Sequence, residues 1–144
     1  MRTAGILLVL VGCTDLPEGW EDAEPIDDFY QRACGDGDPY AEESNERVEA
    51  EGTPDVISVD YLEAHFRCAQ SVEGFFKVNG DAVDVLVQPV DMDPSSVAAC
   101  DCLYDIYMTL PVEPPASLTL YRRWDNLNDP NDPVEIGSVE VASE

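Results

Sequence analysis

The stretch "CDCLYDIYMTL", residues 100–110, constrains the fold more than any other part of the chain. Its apolar and polar side chains alternate with a period of two, as they do in a β-strand that buries one face. The buried face is predicted to hold Cys100, Cys102, Tyr104, Ile106, Met108 and Leu110. A helix, with about 3.6 residues per turn, would scatter this set around its axis, so the pattern favours a sheet.

Two earlier stretches also predict strands that bury one face. In "VISVDYLEAHFRC", residues 56–68, the core face is predicted to hold Leu62, Ala64, Phe66 and Cys68. In "GFFKVNGDAVDVLVQPV", residues 74–90, Asn79-Gly80 lies between two apolar runs, which is a strong signal of a β-hairpin. The strand after this turn is expected to direct Val83, Val85 and Val87 to one face and Asp84 to the other.

The last pair of strands is predicted in "SLTLYRRW", residues 117–124, and "PVEIGSVEV", residues 133–141. The alternation slips by one residue at Gly137, which indicates a β-bulge. Five to seven short strands separated by turn signals are typical of a small antiparallel β-sandwich. We therefore expect a mostly β domain over residues 56–144.

The segment before this domain, residues 13–55, differs in composition. It holds nearly half of the 31 acidic residues of the chain, opposed by Arg32 and Arg47, and it contains several prolines. Charge repulsion and proline stiffness predict an extended acidic tether. One short docked helix is expected within it, from the helical spacing of Ile26, Phe29, Tyr30 and Ala33.

The beginning of the chain has the features of a secretory leader. Arg2 precedes an uncharged apolar run that is too short to span a bilayer as a helix, so residues 1–12 are predicted to be a signal peptide. The run ends in Leu10-Val11-Gly12-Cys13, which resembles the lipobox of bacterial lipoproteins. The resemblance implies that Cys13 receives a diacylglycerol, that the leader is cut before it, and that the new amino terminus is acylated.

The same resemblance suggests a location. Several acyl chains would anchor the protein firmly in a bacterial membrane, outside the cytoplasm. Thr14, rather than Asp, follows the cysteine, which favours the outer membrane. In addition, Cys100, Cys102, Tyr104 and Asp105 resemble a C-x-C-x-Y-D-like strand of small extracytoplasmic lipoproteins, which implies a compact β domain and adds no chemistry.

The cysteines predict disulfides. If lipid occupies Cys13, an even set of four remains, and an even set in an exported chain indicates two bridges: Cys34, Cys68, Cys100 and Cys102. We expect the pairs Cys68–Cys102 and Cys34–Cys100, while two other connectivities stay open. A copper or zinc site formed by Cys100, Cys102 and His65 is the alternative, and it is disfavoured because the chain has one histidine.

The net charge of −24 bears on partners and cofactors. Such a field repels phosphate backbones, so nucleic acid is not expected as a partner. No cofactor is expected apart from calcium, for which one loop offers clustered oxygen ligands: Asp125, Asn128, Asp129 and Asp132. The spacing does not match an EF-hand, and turn chemistry alone also accounts for these residues.

The functional prediction follows from the compartment rather than from a catalytic motif. The sequence has no G-x-S-x-G, P-loop or G-x-G-x-x-G motif, and His65 lacks the partners of a nucleophilic site. We expect a non-catalytic structural or interaction module of the bacterial cell envelope whose partner is an envelope protein or a glycan. A calcium-dependent or glycan-binding module, for which the YRRW stretch is also a candidate, and a carboxylate-based hydrolase are the alternatives.

Overall fold

The computed structural model describes residues 16–91, 100–114, 117–124 and 132–143, and these residues form two five-stranded sheets packed face to face. The first sheet has the order β1-β5-β6-β8-β9, with β1 (Glu24–Pro25), β5 (Val72–Asn79), β6 (Ala82–Pro89), β8 (Ser117–Arg122) and β9 (Val134–Glu140). The second has the order β10-β3-β4-β7-β2, with β10 (Ala142–Ser143), β3 (Arg47–Gly52), β4 (Ile57–Arg67), β7 (Asp101–Leu110) and β2 (Asp28–Gln31).

The predicted class, a mostly β sandwich of antiparallel sheets, is confirmed. Two neighbouring pairs, β6 with β8 and β10 with β3, run parallel. The β6–β8 pair is parallel because β7, which lies between them in sequence, belongs to the opposite sheet. The chain therefore crosses from one sheet to the other and back, which ties the two layers together.

The core lies between the sheets, and the alternation predicted for β7 is confirmed from Cys102 to Leu110. Cys100, which was expected on the same buried face, precedes the strand and is exposed. The inward side chains of β7 are at most 5% exposed: Cys102, Tyr104, Ile106, Met108 and Leu110. The opposing sheet contributes the predicted valines, each fully buried, from β6: Val83, Val85 and Val87. At about 25 cal/mol per Å² of apolar surface, this interlayer core supplies the main favourable term for folding.

The turns and one bulge also follow the sequence. Asn79 pairs with Ala82 across a two-residue loop, and Gly80 takes a φ of 61°, the left-handed conformation that glycine adopts without steric cost. The predicted bulge lies beside Gly137, because Leu120 pairs with Gly137 whereas Tyr121 pairs with Glu135. The extra residue changes the face that the following side chains present.

A second bulge, in β4, was not predicted and makes one expectation wrong. The register shifts between Tyr61 and Ala64, where Glu63 adopts a φ of 53°. Tyr61 and Ala64 both occupy the core face, so Leu62 does not, whereas Ala64 and Phe66 face the core as expected. The bulge lets odd-numbered residues before it and even-numbered residues after it share one face.

The short helix expected from Ile26, Phe29, Tyr30 and Ala33 is wrong, because this stretch is extended. β1 pairs with β5 of the first sheet, and three residues later β2 pairs with β7 of the second. Ile26 and Phe29 both pack on the core as the chain crosses between the sheets. Gly74 permits this crossing, since a Cβ there would lie 2.9 Å from the Phe29 ring.

The expected boundary at residue 56 also needs correction, because the segment assigned to the tether supplies β1, β2 and β3 to the two sheets. In β3, exposed acids alternate with inward residues: Glu49 and Glu51 are exposed, while Val48 is 6% exposed. The high charge of this segment concealed that alternation. The sandwich therefore begins well before residue 56.

Candidate functional site

The outer face of the second sheet is covered by an irregular segment, residues 32–45, which we call the cover segment. It continues along the edge of β7, where Arg32 N donates to Asp105 O at 3.0 Å and Gly35 N donates to Leu103 O at 2.9 Å. These backbone bonds position the cover segment beside β7 without forming a regular strand.

A groove lies under the cover segment. It consists of two adjoining cavities of about 470 and 400 Å³ that share Gly37, Glu63 and Leu103 in their walls. A Cβ at position 37 would lie 2.7 Å from Leu103 Cδ1, so the cover approaches the sheet closely there. Asp36 and Asp105 line the larger cavity as well, which gives the groove an acidic lining.

Two disulfides lie at one end of this groove, and their pairing differs from the expected one. Cys34 is bonded to Cys102, and Cys68 is bonded to Cys100, so the pairs Cys68–Cys102 and Cys34–Cys100 are wrong. Cys68 N donates to Cys100 O at 2.8 Å, which places these two residues opposite each other just beyond the β4–β7 ladder. Because the cover segment follows β7, Cys34 reaches Cys102.

The two disulfides are in contact with each other. Cys102 Sγ lies 3.3 Å from Cys68 Sγ, although these atoms belong to different bonds. Cys102 is 5% exposed and Cys68 is half-buried, whereas Cys34 and Cys100 are exposed. The four sulfur atoms thus form a row with two shielded members in the middle and an exposed member at each end.

A group of polar and aromatic side chains, which we call the polar cluster, lies beside the groove where β4 extends past the end of β3. Its members are Glu46, Tyr61, His65, Arg67, Asp101, Arg122 and Trp124. The register of β3 ends with Arg47 opposite Leu62, so the later amides of β4 have no strand partner on that side. Side-chain oxygens accept from them instead: His65 N donates to Glu46 Oε2 at 3.2 Å, and Arg67 N donates to Gln70 Oε1 at 3.0 Å. This arrangement blocks a free strand edge.

Glu46 is the centre of the polar cluster. Its carboxylate accepts from Arg122 Nη1 at 2.8 and 2.9 Å and from the hydroxyl of Tyr61, and its side chain is 10% exposed. Burial, followed by the charge of Glu46, raises the pKa of Tyr61 well above its usual value. Arg122 lies in the first sheet and Tyr61 in the second, so Glu46 joins the two layers.

Trp124 packs against the same cluster. The guanidinium carbons of Arg67 and Arg122 lie 5.4 and 5.2 Å from its ring centroid, and the His65 ring meets it edge-on at 5.2 Å. His65 Nε2 lies 3.0 Å from Asp101 Oδ2. Among the described residues, the buried Trp124 Nε1 and Arg122 Nε atoms have no hydrogen-bond partner.

The side chains of the YRRW stretch, residues 121–124, face two ways. Arg122 and Trp124 share the polar cluster, whereas Tyr121 packs on Trp20 with ring centroids 5.6 Å apart. Arg123 is 8% exposed and donates through Nη1 to Gln88 Oε1 at 3.0 Å.

The structure brings together few of the predicted ligand residues. Asp125, Asn128 and Asp129 of the calcium hypothesis lie outside the described residues, and Asp132 is exposed just before β9. In the described part of the chain, no group of three or more His, Cys, Asp or Glu side chains is placed to hold a metal ion. The copper or zinc alternative is not supported, because Cys100 and Cys102 are both in disulfides.

The leader and Cys13 also lie outside the described residues. Within the described ranges, no helix has the length and hydropathy needed to cross a membrane. Sequence reasoning did not single out Glu46 or Asp101, since nothing local distinguishes them among 31 acidic residues. Comparison with protein-family models, curated proteins and solved structures finds no match for this chain.

Proposed function

We propose that this chain is a lipid-anchored, extracytoplasmic interaction module of the bacterial cell envelope, without catalytic activity of its own. The observation that carries the proposal is the pair of disulfides within the sandwich, because such bonds form and persist in oxidising compartments. The lipobox-like Leu10-Val11-Gly12-Cys13 adds the anchor, since acylation of Cys13 would hold the folded part at a membrane surface.

The groove under the cover segment is the proposed contact site for the partner. The larger cavity is lined by three acidic residues, Asp36, Glu63 and Asp105, and by one basic residue, Arg32, and the whole chain has a net charge of −24. Charge complementarity therefore favours an envelope protein that presents basic side chains, and disfavours polyanions. The groove lies on a sheet that two disulfides brace, so the contact surface is held rigidly for binding.

The anchor is tested by the variant Cys13→Ala in the native host. We expect the wild type to fractionate with membranes and its amino-terminal peptide to begin with an acylated Cys13. Cys13→Ala should lose both properties, whereas Cys34→Ser, the matched control, should retain them. A Cys13→Ala protein that still partitions with membranes would refute the anchor.

The contact site is tested by placing a photoreactive amino acid at position 36 in the groove and, as control, at position 84 on the first sheet. We expect a discrete adduct with an envelope protein from position 36, and its loss when Gly37→Leu fills the groove beside Leu103. Equal adducts from both positions, or an adduct that Gly37→Leu leaves unchanged, would contradict the assignment.

A glycan ligand is a second candidate, favoured by the polar cluster at Trp124. The guanidinium groups of Arg67 and Arg122, which flank the indole, suit an oligosaccharide that carries carboxylate or phosphate groups. Calorimetric titration with soluble anionic cell-wall oligosaccharides should detect binding that Trp124→Ala abolishes. Absence of heat with the wild type would count against this candidate.

A further inference from the structure

We propose that the two disulfides exchange partners through the contact between Cys102 and Cys68. The four sulfur atoms lie in the order Cys34, Cys102, Cys68, Cys100, with bonds at both ends of the row and a contact of 3.3 Å in the middle. A thiolate formed at either middle position is therefore already beside the sulfur that it would attack. The proposal does not depend on the lipid anchor.

The exchange consumes one external dithiol. Its first thiolate attacks Cys34 Sγ, which breaks the Cys34–Cys102 bond, forms a mixed disulfide at Cys34 and leaves a thiolate on Cys102. That thiolate attacks Cys68 Sγ, forms a Cys68–Cys102 bond and releases Cys100 as a thiolate, which takes up a proton from water. The second thiol of the reagent then releases Cys34, so the reagent is oxidised to its disulfide while the protein gains two electrons.

Entry from the other end gives the same product. Attack on Cys100 Sγ releases Cys68, whose thiolate attacks Cys102 and frees Cys34. Both ends are open to a reagent, because Cys34 and Cys100 are exposed. The two-electron-reduced protein should thus be a single species with a Cys68–Cys102 bridge and free thiols at positions 34 and 100.

The surroundings of the four sulfur atoms favour the product with the Cys68–Cys102 bridge. Cys102 is 5% exposed and packs in the apolar core, where a thiolate is disfavoured, whereas Cys100 is exposed to water. Exchange therefore moves the negative charge from a shielded site to an exposed one. Cys68 lies diagonal to Cys102 across the β4–β7 pair, so the new bridge requires the backbone at Cys68 to shift. Cys68 lies in the turn that follows β4, beside Ala69 with a φ of 58°, and this turn is where the shift would occur.

The exchange would also alter the groove. Cys34 lines the larger cavity and is the covalent attachment of the cover segment to the sheet. Its release leaves the cover held by noncovalent contacts such as the Gly35 N to Leu103 O bond, while the Cys68–Cys102 bridge still joins β4 to β7. The reduced protein keeps its sandwich and loosens its groove.

Partial reduction of the full-length protein tests the proposal. One equivalent of dithiothreitol is added without oxygen, free thiols are blocked in acid with an alkylating reagent, and the protein is digested with a protease that cleaves before aspartate. Asp101 separates Cys100 from Cys102, so each cysteine lies on its own peptide. We expect the Cys68–Cys102 pair with alkylated Cys34 and Cys100; an intact Cys68–Cys100 pair with alkylated Cys34 and Cys102 would overturn the proposal.

Single variants provide a second test that needs no reductant. Cys34→Ser should isolate with a Cys68–Cys102 bridge and a free thiol at Cys100, and Cys100→Ser with the same bridge and a free thiol at Cys34. Cys68→Ser, the control, should keep the Cys34–Cys102 bridge, because it lacks the middle sulfur. Native bridges retained in both test variants would refute the exchange, and if a variant does not fold, the wild-type reduction decides.

Discussion

The outer faces of the two sheets are both covered by irregular chain, yet the two covers are held in different ways. On the first sheet, residues 16–23 place Trp20 against Phe75 and Leu86 in a small apolar cluster. On the second sheet, the cover segment is held by backbone bonds to β7 and by the Cys34–Cys102 disulfide, and it leaves a groove beneath it.

The outward side chains of the strands account for this difference. Outward positions on the first sheet include the aromatic and aliphatic residues Phe75 and Leu86, so burying them stabilises the cover without a covalent bond. The outward residues beneath the cover segment are polar apart from Leu103 and include Glu63 and Asp105, so less apolar surface is buried there. A cover on that face needs a covalent attachment, and gaps remain in which a partner can bind.

The largest expected effect is a loss of stability in the double variant Cys34→Ser/Cys102→Ser, which lacks the disulfide between the cover segment and β7. The bridge closes a sequence separation of 68 residues, for which the chain-entropy model gives about 4 kcal/mol. Urea unfolding of the full-length protein should show a loss of that size. Hydrogen exchange should become faster in residues 32–45 and stay unchanged in residues 16–23; faster exchange in both covers would mean that they are not independent.

The variant Trp20→Ala removes the apolar contact between residues 16–23 and the first sheet. Hydrogen exchange should then become faster in residues 16–23 and stay unchanged in residues 32–45. Trp20 is 6% exposed, and truncation of a buried tryptophan costs about 3 kcal/mol or more. The same unfolding and exchange measurements should place the loss in residues 16–23. Tyr30→Ala, which removes an aromatic side chain that is 62% exposed, should change stability by less than about 1 kcal/mol; a loss equal to that of Trp20→Ala would contradict the comparison.

A smaller loss of stability is expected at Lys77, which contacts residues 16–23, the cover of the first sheet. Its Nζ lies 4.4 Å from the Trp20 ring centroid and donates to Gly19 O at 2.5 Å. Lys77→Met keeps the apolar stem and removes the charge, so the unfolding free energy should fall by about 1 kcal/mol. Lys77→Arg should retain most of the stability, and a Met variant as stable as the wild type would exclude this contact.

The smallest effect concerns Asp60, an outward residue of β4. Burial, then the charges of Glu49 and Asp105, raises its pKa above the ordinary value of 3.8. The folded state therefore holds the proton more tightly than the unfolded state, and this favourable contribution is lost as pH rises from the unfolded pKa through the folded one. Asp60→Asn removes the charge penalty and should be slightly more stable than the wild type at pH 7.

The advantage of Asp60→Asn should vanish below pH 3.8, where Asp60 is protonated in both states. Thermal unfolding of both proteins between pH 3 and pH 8 measures this difference. Asp55→Asn, which removes one exposed charge from the β3–β4 turn, is the control for net charge. A constant difference between Asp60→Asn and the wild type at all pH values would contradict the assignment.

Several elements could be predicted because their signal is local. The face of β7 and the valines of β6 follow from strict alternation, and Asn79-Gly80 marks the hairpin because glycine accepts the left-handed turn conformation. Ile26 and Phe29 misled because they contact the core during a crossing between sheets, and their spacing coincides with that of a helix. Nothing local distinguishes these two arrangements.

The sequence by itself determined that the chain forms a two-faced β structure and that its cysteines make disulfides, because alternation and cysteine parity are local or compositional properties. Only the tertiary structure decided which sulfur bonds to which, where β4 bulges, and that Glu46 joins the two sheets. These outcomes depend on strand order and on side chains brought together across long sequence separations. The contact between Cys68 and Cys102 is of this second kind, since it exists only where the end of β4 meets the start of β7.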